Sequence, residues 1–327
     1  MNNILKNLQT LWKGNNLLTQ TCQIVGATVL SYYGLSILLN TVKTLRKLIP
    51  KDLAARYGKN SWVVVTGASD GIGKGFCEEF AKEGFNIVLI ARNQEKLQRV
   101  AQELTLINPQ VQTRIIVADF TKASEEDFFE NITKQLEGLD ISVLVNNVGL
   151  GKPSAFADLD EAKLREILLV NTVPQVMMSR ILVKQLQARP NRSAIISLSS
   201  GMGVRPLPYN TIYSSTKAFN DYFSRALAGE CSNIDVISLR PSYVATPMIA
   251  AWKKKDFFQI NPNECARGLM NRLGYENYTF GHWKHRVFLA RLTLTPDWIF
   301  ERQASKIGYK LLQMRLAGSA PGVSNSA

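Results

Sequence analysis

The chain has 327 residues and a formal net charge of +13, a length that suits one large α/β domain with appendages. The charge sits at the ends: residues 1–60 carry eight Lys/Arg against one Asp, and residues 251–327 carry twelve against five. Residues 61–250 carry nineteen against twenty. Basic ends beside a neutral middle match anionic membrane lipid, and no helix-turn-helix, zinc-finger or RNA-stacking motif argues for nucleic acid as a partner.

The first feature in chain order is an uncharged run of 28 positions from Asn15 to Val42. Thr19 to Leu39 approaches the roughly 20 apolar residues that a bilayer-spanning helix needs. An interfacial or hairpin-forming helix is the alternative. Lys43, Arg46, Lys47 and Lys51 crowd its downstream end, against Lys6 and Lys13 upstream. That asymmetry places the downstream domain in the cytosol. Residues 1–57 thus read as membrane anchor and basic connector, 58–275 as a catalytic domain, and 276–327 as a helical, membrane-associated tail.

From Trp62 onward strands and helices alternate. Strands are expected at Trp62–Thr66, Asn86–Ala91, Thr113–Ala118, Ile141–Asn146, Ala194–Leu198 and Ile234–Leu239. Helices are expected between them, at Gln94–Ile107, Ser124–Leu136, Asp160–Gln187 and Ile212–Glu230. Alternation of this kind predicts an α/β fold with a doubly wound, Rossmann-like parallel sheet covered on both faces. Ligands in such sheets bind beyond the carboxyl ends of the strands. Gly67, Asp119, Asn146 and Ser200 each lie at or just past the end of a predicted strand, so they converge there.

Past the sheet, Lys253–Lys255 and the aromatic pair Phe257-Phe258 read as a flap over substrate. Pro296 opens a last helix, Asp297–Arg315, which reads equally as a packed helix or as a second membrane contact. Gly318–Ala327 has the composition of a disordered tail. Cys22, Cys77, Cys231 and Cys265 lack paired spacing, which argues against a disulfide framework and fits a reducing compartment. His282 and His285, three apart with no cysteine nearby, make a poor metal site, and no metal is expected.

Two constellations carry chemistry. The β-branched strand Trp62–Thr66 runs into Gly67-Ala68-Ser69-Asp70-Gly71-Ile72-Gly73 and then a helical pattern. Glycines at a strand–helix junction allow a tight turn and close backbone approach to a pyrophosphate, which the helix N-terminus receives. Gly67, Ser69, Asp70, Gly71, Ile72 and Gly73 are therefore candidate cofactor contacts. The second is Tyr213-x3-Lys217, with Ser200 thirteen residues upstream. Positions i and i+4 share a helix face, so the Lys217 ammonium is expected to draw the Tyr213 phenol below its usual pKa of about 10. Such a phenol exchanges a proton with a carbonyl oxygen while hydride arrives from elsewhere. Arg92 stands where NAD-binding members of the wider fold place an acid; an arginine there pairs with a 2′-phosphate, which predicts NADPH as cofactor.

Thr66-Gly67-x3-Gly71-x-Gly73, Asn146-Asn147-x-Gly149, Ser200 and Tyr213-x3-Lys217 together resemble the short-chain dehydrogenases/reductases over roughly Trp62 to Met248. The continuous run Thr66–Lys74, Ser199-Ser200-Gly201 and Pro241-x-x-Val244-Ala245-Thr246 resemble the branch of membrane-bound very-long-chain 3-oxoacyl-CoA reductases and 17β-hydroxysteroid dehydrogenases. The resemblance implies Tyr213, Lys217, Ser200 and Asn171 as the catalytic set, with Ser200 favoured over Ser199 and Ser197. It implies that Asn171 holds a water relay behind Lys217, that Asp119 meets the adenine, with Asp127 a lesser candidate, and that Asn146 supports the sheet and lines the cofactor cleft. Val244 and Thr246 would contact the nicotinamide end, along with Tyr213 and Lys217, which would hold a ribose. Ser242 and Val148 depart from the family pattern. The implied activity is NADPH-dependent reduction of a 3-oxoacyl-CoA in microsomal fatty-acid elongation, at the endoplasmic reticulum membrane, with other elongation enzymes as partners. Oxidoreduction of a steroid or other lipid ketone, and a noncatalytic scaffold, are the alternatives.

Overall fold

The structure is a computed structural model and describes residues 16–46, 51–249 and 257–318. It divides into two compact units, 1–50 and 51–327. The first is represented by one helix, α1 (Asn16–Arg46). Its segment Thr19–Leu39 has a mean hydropathy of 1.5 and no buried share. It is long and apolar enough to cross a membrane.

The second unit holds a seven-stranded parallel sheet. Its strands are β1 (Trp62–Thr66), β2 (Asn86–Ala91), β3 (Thr113–Val117), β4 (Ile141–Asn146), β5 (Ser193–Leu198), β6 (Ile234–Leu239) and β7 (Tyr278–Thr279). Their spatial order is β3-β2-β1-β4-β5-β6-β7. The helices are α2 (Leu53–Tyr57), α3 (Gly71–Lys82), α4 (Gln94–Ile107), α5 (Phe128–Leu136), α6 (Glu161–Ala188), α7 (Thr211–Glu230), α8 (Pro262–Met270), α9 (Trp283–Leu294) and α10 (Asp297–Gly318).

Strands in such a sheet are apolar on both sides because both sides are covered. The period of two divides them. Val63, Val65, Ile87 and Leu89 enter one core with Phe76 and Phe80 of α3, Leu97 of α4 and Leu269 of α8. Val64, Val88, Ile90 and Leu144 enter the other with Ile132 of α5 and Met178 and Leu182 of α6. The half-buried helix α6 also passes a length-and-hydropathy test for a membrane span, but it is the core helix of that second layer.

The order reverses between β1 and β4. The chain leaves β1 toward β2 on one side and leaves β4 toward β5 on the other, which opens a crevice beyond the carboxyl ends of these adjacent strands. Four strands coincide with the sequence expectation end to end. β3 stops one residue short, β5 starts one residue early, and β7 and α8 have no counterpart among the expected elements. The expected helix from Ser124 forms only from Phe128. Lys253–Lys255 and the tail beyond Gly318 lie outside the described residues. Phe257 and Phe258, expected in a flap, instead contact Trp283 and Phe288 of α9.

Candidate active site

At the crevice the chain turns sharply after β1. Gly67 and Gly71 have φ of +65° and +56°, a region that favours glycine. Gly73 has a different reason to be glycine: a Cβ there would lie 2.2 Å from the Gly67 carbonyl oxygen. Asp70 caps α3, accepting from the Gly71 N–H at 2.7 Å. Its carboxylate also lies 3.7 Å from Lys96 Nζ. Asn147 stitches this turn to β4: its Nδ2 donates to the Thr66 and Gly67 carbonyls at 2.9 and 3.1 Å.

The opposite wall is built by α7 and the loop after β5. Tyr213 and Lys217 lie one turn apart on α7, and Lys217 Nζ is 5.8 Å from the centre of the Tyr213 ring. The ammonium donates to the Leu198 carbonyl at 3.0 Å. Lys217 is 4% exposed, and burial pulls its pKa down to about 8. Burial also pushes the Tyr213 phenol up, and a hydrogen bond with the Ser200 hydroxyl works in the opposite direction. The expected acidification of the phenol by Lys217 is therefore reversed here. Two groups buried side by side both shift toward their neutral forms.

Asn171 sits one layer behind, on α6. Its Oδ1 accepts from the Leu150 N–H at 2.6 Å, and its Nδ2 donates to the Leu150 carbonyl and to Thr216 Oγ1, each at 2.9 Å. A Cβ on Gly149 would meet both Lys217 Nζ and Asn171 Oδ1, at 3.1 and 3.3 Å. Asn171 thus ties the loop after β4 to the helix that carries Tyr213 and Lys217.

Most of the sequence-expected residues line one cavity of about 1120 Å³: Gly67, Ser69, Asp70, Gly71, Ile72, Arg92, Asp119, Ser200, Tyr213, Lys217, Val244 and Thr246. Gly73 supports the turn from beneath. Asn146 departs from expectation. Its side chain is buried against Ser179, to which Nδ2 donates at 3.0 Å, and its neighbour Asn147 faces the cavity instead. Asp119 lines the cavity while capping a short turn through the Thr121 N–H. Asp127 precedes α5 and makes no capping bond.

The cavity's apolar side has no counterpart in the sequence reading. Phe288, Leu289 and Leu292 of α9 and Phe300, Ile307 and Leu311 of α10 line it. The tail therefore folds back over the crevice within the same compact unit. His285 fastens it: fully buried, its Nδ1 accepts from the Ser242 N–H at 3.2 Å, and its Nε2 lies 3.1 Å from the Tyr243 carbonyl. This contact fixes the loop at Ser242, the position that departs from the family pattern. Among the described residues no cluster of His, Cys, Asp and Glu is suited to a metal.

A glycine turn at a strand–helix junction, facing a Ser–Tyr–Lys group across the switch point of a parallel sheet, defines an oxidoreductase of the doubly wound α/β class. The family model described as short chain dehydrogenase matches residues 61–256, and the chain belongs to that family. A human relative named inactive hydroxysteroid dehydrogenase-like protein 1 is 34% identical, covering 93% of this chain and 94% of its own. A Bos taurus very-long-chain 3-oxoacyl-CoA reductase is 37% identical, covering 76% and 79%. Among solved structures, a 7β-hydroxysteroid dehydrogenase superposes with a TM-score of 0.66 at 25% identity, over 82% of this chain and all of the other.

Proposed function

We propose that the chain is an NADPH-dependent reductase of very-long-chain 3-oxoacyl-CoA, anchored in the endoplasmic reticulum membrane by Thr19–Leu39 with its sheet domain in the cytosol. The observation that carries the reading is the grouping of Ser200, Tyr213 and Lys217 on the cavity wall opposite the glycine turn, with Lys217 Nζ 5.8 Å from the centre of the Tyr213 ring.

The residues fit a dinucleotide. The turn at Gly67–Gly73 presents backbone and a helix N-terminus, the arrangement that receives a pyrophosphate. Arg92 and Lys96 line the cavity beyond β2. Two cations there suit a 2′-phosphate, and Lys96 offsets the charge of Asp70. When bound, the reduced cofactor supplies hydride to the substrate's ketone carbon. Ser200 holds the ketone oxygen in place, and Tyr213 delivers the proton to it. A phenol raised by burial stays protonated at neutral pH, as a proton donor must. Lys217 sits behind the phenol to steady the phenolate left by proton transfer. Asn171 positions this wall through Leu150 and Thr216. The aliphatic and aromatic lining from α9 and α10 suits a long acyl chain, and the basic ends suit a membrane surface.

Purified full-length protein in detergent is expected to oxidise NADPH with a long-chain 3-oxoacyl-CoA, and Tyr213→Phe to lower kcat by at least about a hundredfold. Steroid ketones turned over in preference to acyl-CoA would replace this substrate with a steroid. The name of the human relative raises a noncatalytic reading. The intact set of Tyr213, Lys217, Ser200 and Asn171 in this chain speaks against it, and unchanged turnover in Tyr213→Phe would favour it.

A further inference from the structure

Helix α10 is apolar on two opposite faces. At about 100° per residue, Phe300, Ala304 and Leu311 fall on one side, and Trp298, Tyr309 and Leu316 fall within about 20° of one another on the other. The first side is buried and supplies Phe300 and Leu311 to the cavity. The second is exposed: Trp298 by 63%, Tyr309 by 51% and Leu316 by 57%. It forms a stripe about 27 Å long. Leu294, 81% exposed, stands at the corner just before it. Covering the cavity requires only the first side. Single exposed apolar residues are ordinary, but an aromatic and aliphatic line along one helix marks a contact surface.

The orientation of the stripe is fixed. Arg205 pairs with Asp297 and lies over the Phe300 ring, 4.7 Å from its centre. A Cβ on Gly308 would lie 2.0 Å from the Pro208 carbonyl oxygen, so the helix packs there at backbone distance. The Tyr309 ring meets Tyr209 edge-on at 5.7 Å. Held at its start and its middle, α10 cannot roll to bury Trp298 or Leu316.

The charge beside the stripe selects the partner. Arg302, Lys306 and Lys310 are exposed and lie along one flank, at about 40° to 120° from Trp298. The acids of the helix are Asp297, already paired with Arg205, and Glu301 on the other flank. Aromatic and aliphatic side chains beside a row of cations match the headgroup layer of an anionic bilayer. A second copy of this chain seated on the same stripe would bring like charges together.

We propose that the outer stripe of α10, with Leu294 at its corner, docks the sheet domain on an anionic lipid bilayer. The helix lies in the plane of the interface, with Trp298, Tyr309 and Leu316 among the headgroups and its inner face over the cavity. One helix diameter, about 10 Å, then separates lipid from the cavity's apolar lining. The contact is peripheral and salt-sensitive, and it depends neither on α1 nor on the reductase reading.

Lipid proximity tests it on the full-length chain, reconstituted in vesicles of phosphatidylcholine and phosphatidylserine. A nitrobenzoxadiazole label is placed, on a Cys22→Ser background, at Leu294→Cys, at Leu316→Cys or, as a control on α4, at Leu106→Cys, which is also exposed. Spin-labelled lipid is expected to quench the labels at 294 and 316 and to spare the one at 106. That quenching is expected to fall to the control level in phosphatidylcholine alone, at about 1 M salt, where the Debye length shrinks to about 3 Å, and in the triple variant Arg302→Glu, Lys306→Glu, Lys310→Glu. The lipid and salt arms keep the test valid if the triple variant misfolds. No quenching at 294 and 316 in the anionic vesicles overturns the proposal, as does equal quenching in phosphatidylcholine alone. Labels shielded by rising protein concentration in detergent, without lipid, would assign the stripe to a second copy and overturn it too.

Discussion

Lys217 Nζ lies 5.8 Å from the Tyr213 ring centre, yet it donates to the Leu198 carbonyl at 3.0 Å. The pair thus acts through a shared buried environment. Desolvation raises the phenol, which stays protonated, and lowers the amine to about 8, which leaves it a cation at neutral pH.

The pH dependence stems from that arrangement. Burial takes Lys217 from the usual 10.5 to about 8. Between those values the unfolded chain holds the proton and the folded chain does not, so this residue's contribution makes stability rise as pH climbs from about 8 toward 10.5. Below about 8 the buried ammonium costs the fold on the order of 3 kcal/mol. Lys217→Met is expected to gain roughly 1 to 3 kcal/mol at pH 7 in denaturant unfolding, while losing turnover. In the wild type, kcat/KM for reduction is expected to fall as pH rises through about 8, because the cation behind the phenol is lost there. A flat profile from pH 6 to 9 would show that the charge of Lys217 plays no part in turnover.

Arg92, which lines the cavity beyond β2, is the residue proposed to select NADPH over NADH. Charge-assisted hydrogen bonds to a phosphate contribute about 1.5 to 3 kcal/mol. Arg92→Ala is therefore expected to lower kcat/KM for NADPH by about ten- to a hundredfold and to leave that for NADH within about threefold. Equal losses with both cofactors would show that Arg92 supports the fold of the site rather than reading the 2′-phosphate.

Gly73 tests the turn. An alanine Cβ would lie 2.2 Å from the Gly67 carbonyl oxygen and 2.5 Å from Asn147 Nδ2, and backbone cannot yield by that much without opening the turn. Gly73→Ala is expected to destabilise by about 3 kcal/mol or more and to abolish cofactor binding. A variant with wild-type thermal stability and cofactor affinity would show that the turn is looser than its geometry implies.

The apolar helix α1 and the sheet domain belong to separate compact units. Deleting residues 1–46 is expected to move the protein from the carbonate-resistant membrane fraction to the soluble fraction while cofactor binding persists. Full retention in the membrane pellet would assign the anchor to the remaining chain, and α9–α10 would then be the segment to examine.

The sheet and the glycine turn are legible in the sequence because their signals are local. Val63, Val64 and Val65 are buried on alternating faces, so the strand reads as an unbroken β-branched run, and the turn's glycines come directly after it. The asparagine that faces the cavity lies one residue later than the sequence suggests. Asn146 ends β4, paired in register with Ser197, and a shift of one residue exchanges the two faces of the sheet. Asn147, just past the strand, is the one that reaches the Gly67 carbonyl. The tail is harder to read for a different reason. On α10, Phe300 and Leu311 are buried while Trp298 and Leu316 are exposed, and an apolar helix gives the same sequence signal whether it covers a cavity or meets a bilayer. The shifts of Tyr213 and Lys217 are not legible either, since desolvation comes from residues distant in sequence.

The central assignment is tested most directly by an isotope. Full-length protein is given a long-chain 3-oxoacyl-CoA and NADPH carrying deuterium on the transferred face of nicotinamide C4, and the product is analysed by mass spectrometry. The expected product is a 3-hydroxyacyl-CoA with one deuterium at C3, formed by the wild type and not by Tyr213→Phe. Unreduced substrate recovered from wild-type protein that demonstrably binds NADPH would contradict the assignment.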